Sequence, residues 1–275
     1  MKITRTNDPI GKWTAAVLVL LALMISANAG VTTMGIVTKT DKSQIQGLVR
    51  WQPASKVYVI KTGQSNIELK ISVHDVARID VAKPAGIDLA AQQVQAGQYA
   101  AAIPALEKIM SDYEMLQWDV PAGQYLALCY LNIKRAREAV EICENLIKKN
   151  PNAESSGDLV NVYWDALIET EQFTKLRKAL DIAVQKGNRQ VQAVAQMKRG
   201  DIDMKQGQFK DALIGGYLRT IVFFEQLKFI QPEALYKAAK CFEQLGQHSH
   251  ADKMRKRLMT EYPNDPYTEK IRIGT

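Results

Sequence analysis

One pattern recurs five times along this chain, and it limits the fold more than any other feature. Leu89-Ala90 precede Gly97-Gln98-Tyr99 and Ala102-Ile103. Gly200-Asp201 precede Gly207-Gln208-Phe209 and Ala212-Leu213, and Ala238-Ala239 precede Gly246-Gln247-His248 and Ala251. Two looser copies lie between these. In one, Leu126-Ala127 and Tyr130 lead to Lys134-Arg135-Ala136 and Ala139; in the other, Tyr163-Trp164 and Leu167 lead to Glu171-Gln172-Phe173 and Leu176. The turns at Gly97, Lys134, Glu171, Gly207 and Gly246 are 37, 37, 36 and 39 residues apart. Each unit reads as a helix, a tight turn and a second helix. Ala102, Ala139, Ala212 and Ala251 are small where the two helices must approach closely. Tyr99, Phe173 and Phe209 fill the space beside the turn. Gly97, Gly207 and Gly246 supply a permissive backbone where the first helix ends. Pro151 and Pro263 stop second helices, because proline cannot continue one. Such a unit buries its apolar face only against its neighbours, so several copies are needed.

A helix–turn–helix repeat of this period resembles the tetratricopeptide family. The resemblance spans residues 84–270 and implies a mainly α protein, an α-solenoid of about five repeats. Glu261-Tyr262-Pro263-Asn264-Asp265-Pro266-Tyr267 is similar to the "YP-x-S-x-A" repeat ends of bacterial envelope proteins, among them outer-membrane assembly lipoproteins and periplasmic division-coordinating proteins. Pro232-Glu233-Ala234-Leu235-Tyr236 and Cys241-Phe242 resemble the helix that opens such a unit. The resemblance implies a protein or peptide partner on the concave face lined by first helices. Helical projection places Gln124, Leu128 and Leu131, then Asn161, Asp165 and Ile168, then Met197, Asp201 and Met204, then Tyr236, Lys240 and Glu243 on that face. Gln124, Leu128, Asn161, Asp165, Met197, Asp201, Tyr236 and Lys240 are the candidate partner-binding residues, with Met197 and Tyr236 as apolar contacts. The alternative is a solvated inner face with no dedicated ligand. The family's clamp for acidic chaperone tails needs Lys and Asn one turn apart on a first helix, and no repeat here has that pair.

The first thirty residues read as an export signal. Lys2, Arg5 and Lys12 precede an apolar run from Trp13 to Ile25, followed by Ser26-Ala27-Asn28-Ala29-Gly30. A basic start, a short apolar core and an A-x-A site are the marks of a secretory signal peptide. The run is too short for a membrane span of about 20 residues. Cleavage is expected after Ala29, leaving a chain without a transmembrane span in the periplasm. The alternative is an uncleaved N-terminal anchor. No Cys stands at the cleavage site, so lipid modification is not expected there.

Residues 30–83 carry a different pattern. Met34–Lys39, Ser43–Trp51, Lys56–Lys61, Asn66–Ser72 and Val76–Val81 are short runs rich in Val and Ile, separated by turn residues. That spacing predicts antiparallel strands joined by hairpins. Ser43-Gln44-Ile45-Gln46-Gly47-Leu48-Val49 and Val73-His74-Asp75-Val76-Ala77-Arg78-Ile79 resemble strands of Sm-like barrels, which implies a small five-stranded β-barrel. Eight bases face four acids here, a net +4 out of +7 for the whole chain. The basic balance suits anionic lipid headgroups or acidic polymers. Sm-like barrels can bind RNA, but secretion removes RNA from the surroundings, so nucleic acid is not the expected partner.

Nothing in the remaining chemistry points to an enzyme. Hydrophobic residues make up 47% and charged residues 24%, which excludes wholesale disorder, collagen and a multi-span membrane protein. There is no G-x-S-x-G, P-loop, H-E-x-x-H or G-x-G-x-x-G. His248 and His250 are two ligands at a turn, too few for a metal site. No cofactor, metal or catalytic residue is expected. Cys129, Cys143 and Cys241 form an odd set. Cys129 and Cys143, on facing helices of one repeat, are either disulfide-bonded or buried free thiols. Gly215-Gly216 interrupt a second helix and permit close helix approach. Phe223, Phe224 and Phe229 are expected in the core between repeats, with a self-association patch as the alternative. The reading is a secreted, non-enzymatic scaffold that binds a protein partner in cell-envelope assembly; the alternatives are a self-associating, homo-oligomeric structural protein and an anionic-surface-binding module acting through the basic barrel.

Overall fold

The computed structural model describes residues 30–63, 67–150 and 157–273. The expected signal segment, the Pro151 helix stop and the last two residues lie outside the described residues. The chain divides into two compact units, one built on residues up to Gln92 with Pro104–Ala122, the other on Gln93–Ile103 with Gly123–Thr275.

In the first unit, strands β1 (Thr33–Lys39), β2 (Gln44–Gln52), β3 (Val57–Lys61), β4 (Glu68–Ser72) and β5 (Val76–Val81) form one antiparallel sheet in the order β4-β3-β2-β1-β5. No ladder joins β4 to β5 among the described residues, so the five strands make a sheet whose closure into a barrel is not observed. Alternation turns Val37, Val49, Ile60 and Ile79 to the packed face, where all are buried. Gly35 pairs with Gly47. A Cβ on Gly47 would lie 2.4 Å from the Lys61 carbonyl oxygen, which is why the Ile45-x-Gly47-x-Val49 strand carries glycine there. The core is finished from outside the strand run. Leu116 is fully buried among the inward residues, Tyr58 Oη donates to the Met115 carbonyl at 3.0 Å, and Trp118 Nε1 donates to the Val81 carbonyl at 3.4 Å.

The helices come in pairs: α1 (Ile87–Gln95) and α2 (Tyr99–Asp112), α3 (Asp119–Asn132) and α4 (Ala136–Lys149), α5 (Gly157–Glu169) and α6 (Phe173–Lys186). Next come α7 (Arg189–Lys205) and α8, then α9 (Gln231–Gln244) and α10 (His248–Glu261), and a last helix α11 (Pro266–Ile273). Helix α8 runs Phe209–Asp211 and Leu218–Phe223 on either side of a π-helical segment, Ala212–Tyr217. The residues at all five turns, Gly97, Lys134, Glu171, Gly207 and Gly246, have φ between 57° and 74°. The following N–H reaches back to the carbonyl five residues earlier in every case: Gln98 to Gln93, Arg135 to Tyr130, Gln172 to Leu167, Gln208 to Asp203 and Gln247 to Phe242. This closure satisfies a carbonyl that the helix end would leave without a partner. Behind each turn Ala102, Ala139, Ala212 and Ala251 are fully buried, as is Leu176 in the copy that lacks the alanine.

The left-handed conformation costs an L-residue about 1–2 kcal/mol. Lys134 and Glu171 bear that cost where the other turns use glycine. Lys134→Gly and Glu171→Gly are each expected to stabilise the fold by about 0.5–1 kcal/mol after glycine's extra unfolded-state entropy is counted. Urea unfolding midpoints check this; a loss of stability in both variants would refute it.

In the fourth pair the π-helical segment places Leu213, Tyr217, Thr220 and Ile221 inward, all buried. A Cβ on Gly216 would lie 2.4 Å from Gly200 Cα, so the glycines let α7 and α8 touch backbone to backbone. Phe224 continues that inward row and packs against the core. Phe223 and Phe229 do not: each is 60% exposed, which corrects their expected place in the core. The helical period set by Tyr217 and Ile221 carries Phe224 inward and turns Phe223 to solvent.

Cys129, Cys143 and Cys241 are buried free thiols. Burial pushes Cys129 and Cys241 up to about 11 and Cys143 up to about 12. An unfolded thiol ionises near 8.5. The stability linked to these thiols is therefore intact below about pH 8.5 and is lost as pH rises towards 11–12, at about 1.4 kcal/mol per pH unit per thiol. A variant with all three replaced by alanine is expected to have a shallower alkaline limb in thermal melts. In the native chain at pH 8, a thiol reagent is expected to label none of the three until denaturant is added.

Candidate functional site

First helices α3, α5, α7 and α9 present equivalent positions at fixed distances before their turns. Gln124, Asn161, Met197 and Tyr236 occupy one column, ten residues before each turn; Leu128, Asp165, Asp201 and Lys240 occupy another, six before it. Gln124, Leu128 and Asn161 are half-buried on their helices. Met197 is only 2% exposed and belongs to the core with Leu235 and Tyr217, so this position does not offer an apolar contact at the surface.

Asp165 and Asp201 are held in an ion ladder between repeats. Lys198 pairs with Asp165 of the preceding repeat and lies 3.8 Å from Asp201. Lys237 binds Asp201 of the preceding repeat at 2.7 Å and Glu233 at 2.5 Å. Tyr217 Oη donates to the same Asp201 oxygen at 2.9 Å. Burial opposes the charged form of Asp201, but Lys237, Lys198 and the Tyr217 hydroxyl outweigh it and hold the carboxyl below its usual range. Burial also opposes the charge on Lys237; Asp201 and Glu233 more than offset this and raise it. Tyr217 is raised by burial, then by Asp201. These shifts favour the charged forms of Asp201 and Lys237 and keep the Tyr217 hydroxyl protonated, whereas burial raises Asp165 above its usual range against the pull of Lys198; the ladder joins repeats. Lys198 and Lys237 each stand nine residues before a turn. An acid column in one repeat and a base column in the next was a readable signal, and it falls outside a one-repeat helical projection.

Tyr236 and Lys240 meet in an open cleft of about 230 Å³ lined by Tyr236, Ala239, Lys240, Glu243, Arg255, Lys270 and Ile271. Lys240 Nζ lies 4.7 Å from the Tyr236 ring centre, Tyr236 lies 5.3 Å from Tyr267, and Lys270 Nζ lies 4.5 Å from the Tyr267 ring centre. The sequence reading missed Arg255, Tyr267 and Lys270, which come from a second helix and from α11. Arg255 is engaged by Glu243 and by Asp252. His250 stacks on Phe242 with ring centres 5.2 Å apart. Among the described residues no cluster of three His, Cys, Asp or Glu could hold a metal ion, and no helix is long and apolar enough to cross a membrane.

Two tetratricopeptide-repeat family profiles match this chain, one over residues 93–159 and one over residues 233–265. No curated protein is detectably similar. Among solved structures, a thermophilic tetratricopeptide-repeat protein of Thermus thermophilus is 18% identical with a TM-score of 0.50, covering 67% of this chain and 96% of its own. A Podospora anserina putative kinesin light chain with nearly identical tetratricopeptide-like repeats is 16% identical with a TM-score of 0.46, covering 63% and 91%. MamA in its AMB-1 form is 18% identical with a TM-score of 0.41, covering 64% and 96%. The recurring turns, the buried alanines behind them and the matched profiles agree: this chain carries tetratricopeptide repeats.

Proposed function

We propose that this chain is a secreted, non-enzymatic scaffold that holds a protein partner on the first helices of its repeats, in the bacterial periplasm. One observation carries the reading. Tyr236, Lys240 and Lys270 stand around an open cleft, whereas Asp165 and Asp201 on the same helix face are engaged between repeats. A photo-crosslinking residue at Lys240 is expected to capture a protein in cell-envelope extracts, and one at Lys253 on α10 is not. Equal capture at both positions, or none at either, would count against the reading. The export half rests on the sequence of residues 1–29. Mass spectrometry of the protein isolated from its cells is expected to find Gly30 at the N-terminus; a chain that keeps its first residues overturns cleavage.

Self-association is a second reading, favoured by the exposure of Val222 (65%), Phe223 and Phe229. Light scattering that finds only a monomer at high concentration removes it.

A further inference from the structure

Ile214, Val222, Phe223 and Phe229, four exposed large apolar side chains, stand close together in the chain. The connection from α8 to α9 explains how two phenylalanines stay outside a packed array. Leu227 N–H donates to the Phe224 carbonyl at 2.9 Å and Ile230 N–H to the Leu227 carbonyl at 3.2 Å, so the chain advances in three-residue turns. In such turns side chains three apart lie over one another. Phe224, Leu227 and Ile230 form the row that packs against the core. Phe223, Gln226 and Phe229 form the next row, and all three are exposed. Side chains hold this rotation in place. Buried Gln231 donates through Nε2 to the Thr220 carbonyl at 3.2 Å and to the Phe224 carbonyl at 2.9 Å, and Arg189 Nη2 donates to the Phe223 carbonyl at 2.6 Å. The charges beside the row have one prevailing sign. The Arg189 guanidinium lies 5.3 Å from the Phe224 ring centre. Arg219 stands three and four residues before Val222 and Phe223, on the same face of α8. Lys228 adjoins Phe229, and all three bases are exposed. The acid of the connection, Glu225, lies near Arg257 of α10 and adds to the upward shift that Glu261 first gives that guanidinium.

We infer that this connection docks on an anionic phospholipid bilayer: Val222, Phe223 and Phe229 enter the interface, and Arg189, Arg219 and Lys228 meet the headgroups. The inference goes beyond the first-helix reading and is independent of it. A bilayer suits the row on two counts. The phenylalanines are presented on a turn whose backbone is already fixed, so little order is lost when they are buried. The flanking bases meet the opposite charge in the headgroups. A second copy is the other occupant for the same row, but a two-fold contact would set this net-positive patch against itself.

Co-flotation of the full mature chain, which lacks the apolar run of the export signal, with vesicles tests this. Binding is expected to vesicles of equal parts phosphatidylglycerol and phosphatidylcholine, and at least about tenfold weaker binding to phosphatidylcholine alone. Phe223→Ser with Phe229→Ser is expected to weaken binding at least about tenfold, and Arg219→Gln about fivefold. Lys61→Gln with Lys70→Gln, in the sheet, is expected to change nothing. Insertion is read by an environment-sensitive fluorophore on a thiol introduced by Phe229→Cys, the native thiols being buried. Its emission is expected to rise on vesicle addition, and that of the same fluorophore at Lys178→Cys on α6 is not. Circular dichroism identifies a double variant that fails to fold, and the fluorophore pair with Arg219→Gln then decides. Unchanged flotation of the phenylalanine variant overturns the inference, as does equal binding to the two kinds of vesicle. Equal emission changes at both labelled positions overturn insertion. Loss confined to the Lys61/Lys70 variant overturns it in favour of the basic sheet. Absence of flotation overturns it outright, and an oligomer in light scattering that the phenylalanine variant lacks then assigns the row to a second copy.

Discussion

Gly216→Ala is expected to cost about 3 kcal/mol, at the upper end of what overpacking a dense interior costs. The reason is the nature of the neighbour. The new Cβ would lie 2.4 Å from Gly200 Cα and 2.7 Å from Gly200 N, and a backbone cannot swing aside as a side chain can. Relief requires α7 and α8 to separate. Separation would loosen the packing of Tyr217, which is fully buried. It would also stretch the hydrogen bond that Gln196 Nε2 on α7 donates to the Gly215 carbonyl on α8. The adjacent glycine makes the control. A Cβ on Gly215 meets nothing within 4 Å, so Gly215→Ala is expected to be neutral or to stabilise by about 0.5 kcal/mol through lower unfolded-state entropy. Urea unfolding of both variants decides the matter. Equal effects would mean that close approach is not what selects glycine here.

Asp201→Ala is expected to cost about 3 kcal/mol, because it leaves two largely buried lysines without their shared partner. The Lys198 and Lys237 side chains are 12% and 19% exposed, and Asp201 is 11% exposed. Adding Lys237→Met to Asp201→Ala is expected to recover much of the loss, since it removes the stranded charge and keeps the bulk. The pH dependence has a definite sign. The Asp201 carboxyl is held below its ordinary range, so its contribution is complete above about pH 4 and is lost as pH falls through the folded value. Asp201→Asn is expected to flatten that acid limb in thermal melts. A double variant no more stable than the single one, with an unchanged acid limb, would show that the ladder does not matter.

Local rules were legible in the sequence, and rotations between repeats were not. The five turns could be placed to the residue even where Lys134 and Glu171 replace glycine, because the small residue behind the turn and the period identify them together. The strand runs were legible from alternation and turn residues. The part that Leu116 and Met115 play in the sheet's core was not, since they lie some thirty-five residues beyond the last strand. Phe223 was misplaced because the π-helical segment resets the inward face, and a π-helical insertion leaves no hydrophobic period to count; Phe229 lies in the turn between α8 and α9, where no α-helical period applies. The first-helix projection brought Tyr236 and Lys240 to one surface. It also put Met197 on that surface, although neighbouring repeats bury it. A single helix wheel cannot tell which part of a face the next repeat covers.

The ion ladder also bears on how the array can change length. Its two junctions use the same columns, an acid six residues before one turn and a lysine nine residues before the next. Excision of the fourth repeat would bring Asp165 opposite Lys237 and restore the pairing, with no charge orphaned at the new boundary. Duplication of that repeat would add one more junction of the same kind. The fourth repeat is therefore interchangeable with a copy of itself at both charged seams, whereas Leu128 and Lys240 occupy the acid's column in the repeats on either side of that pair of seams.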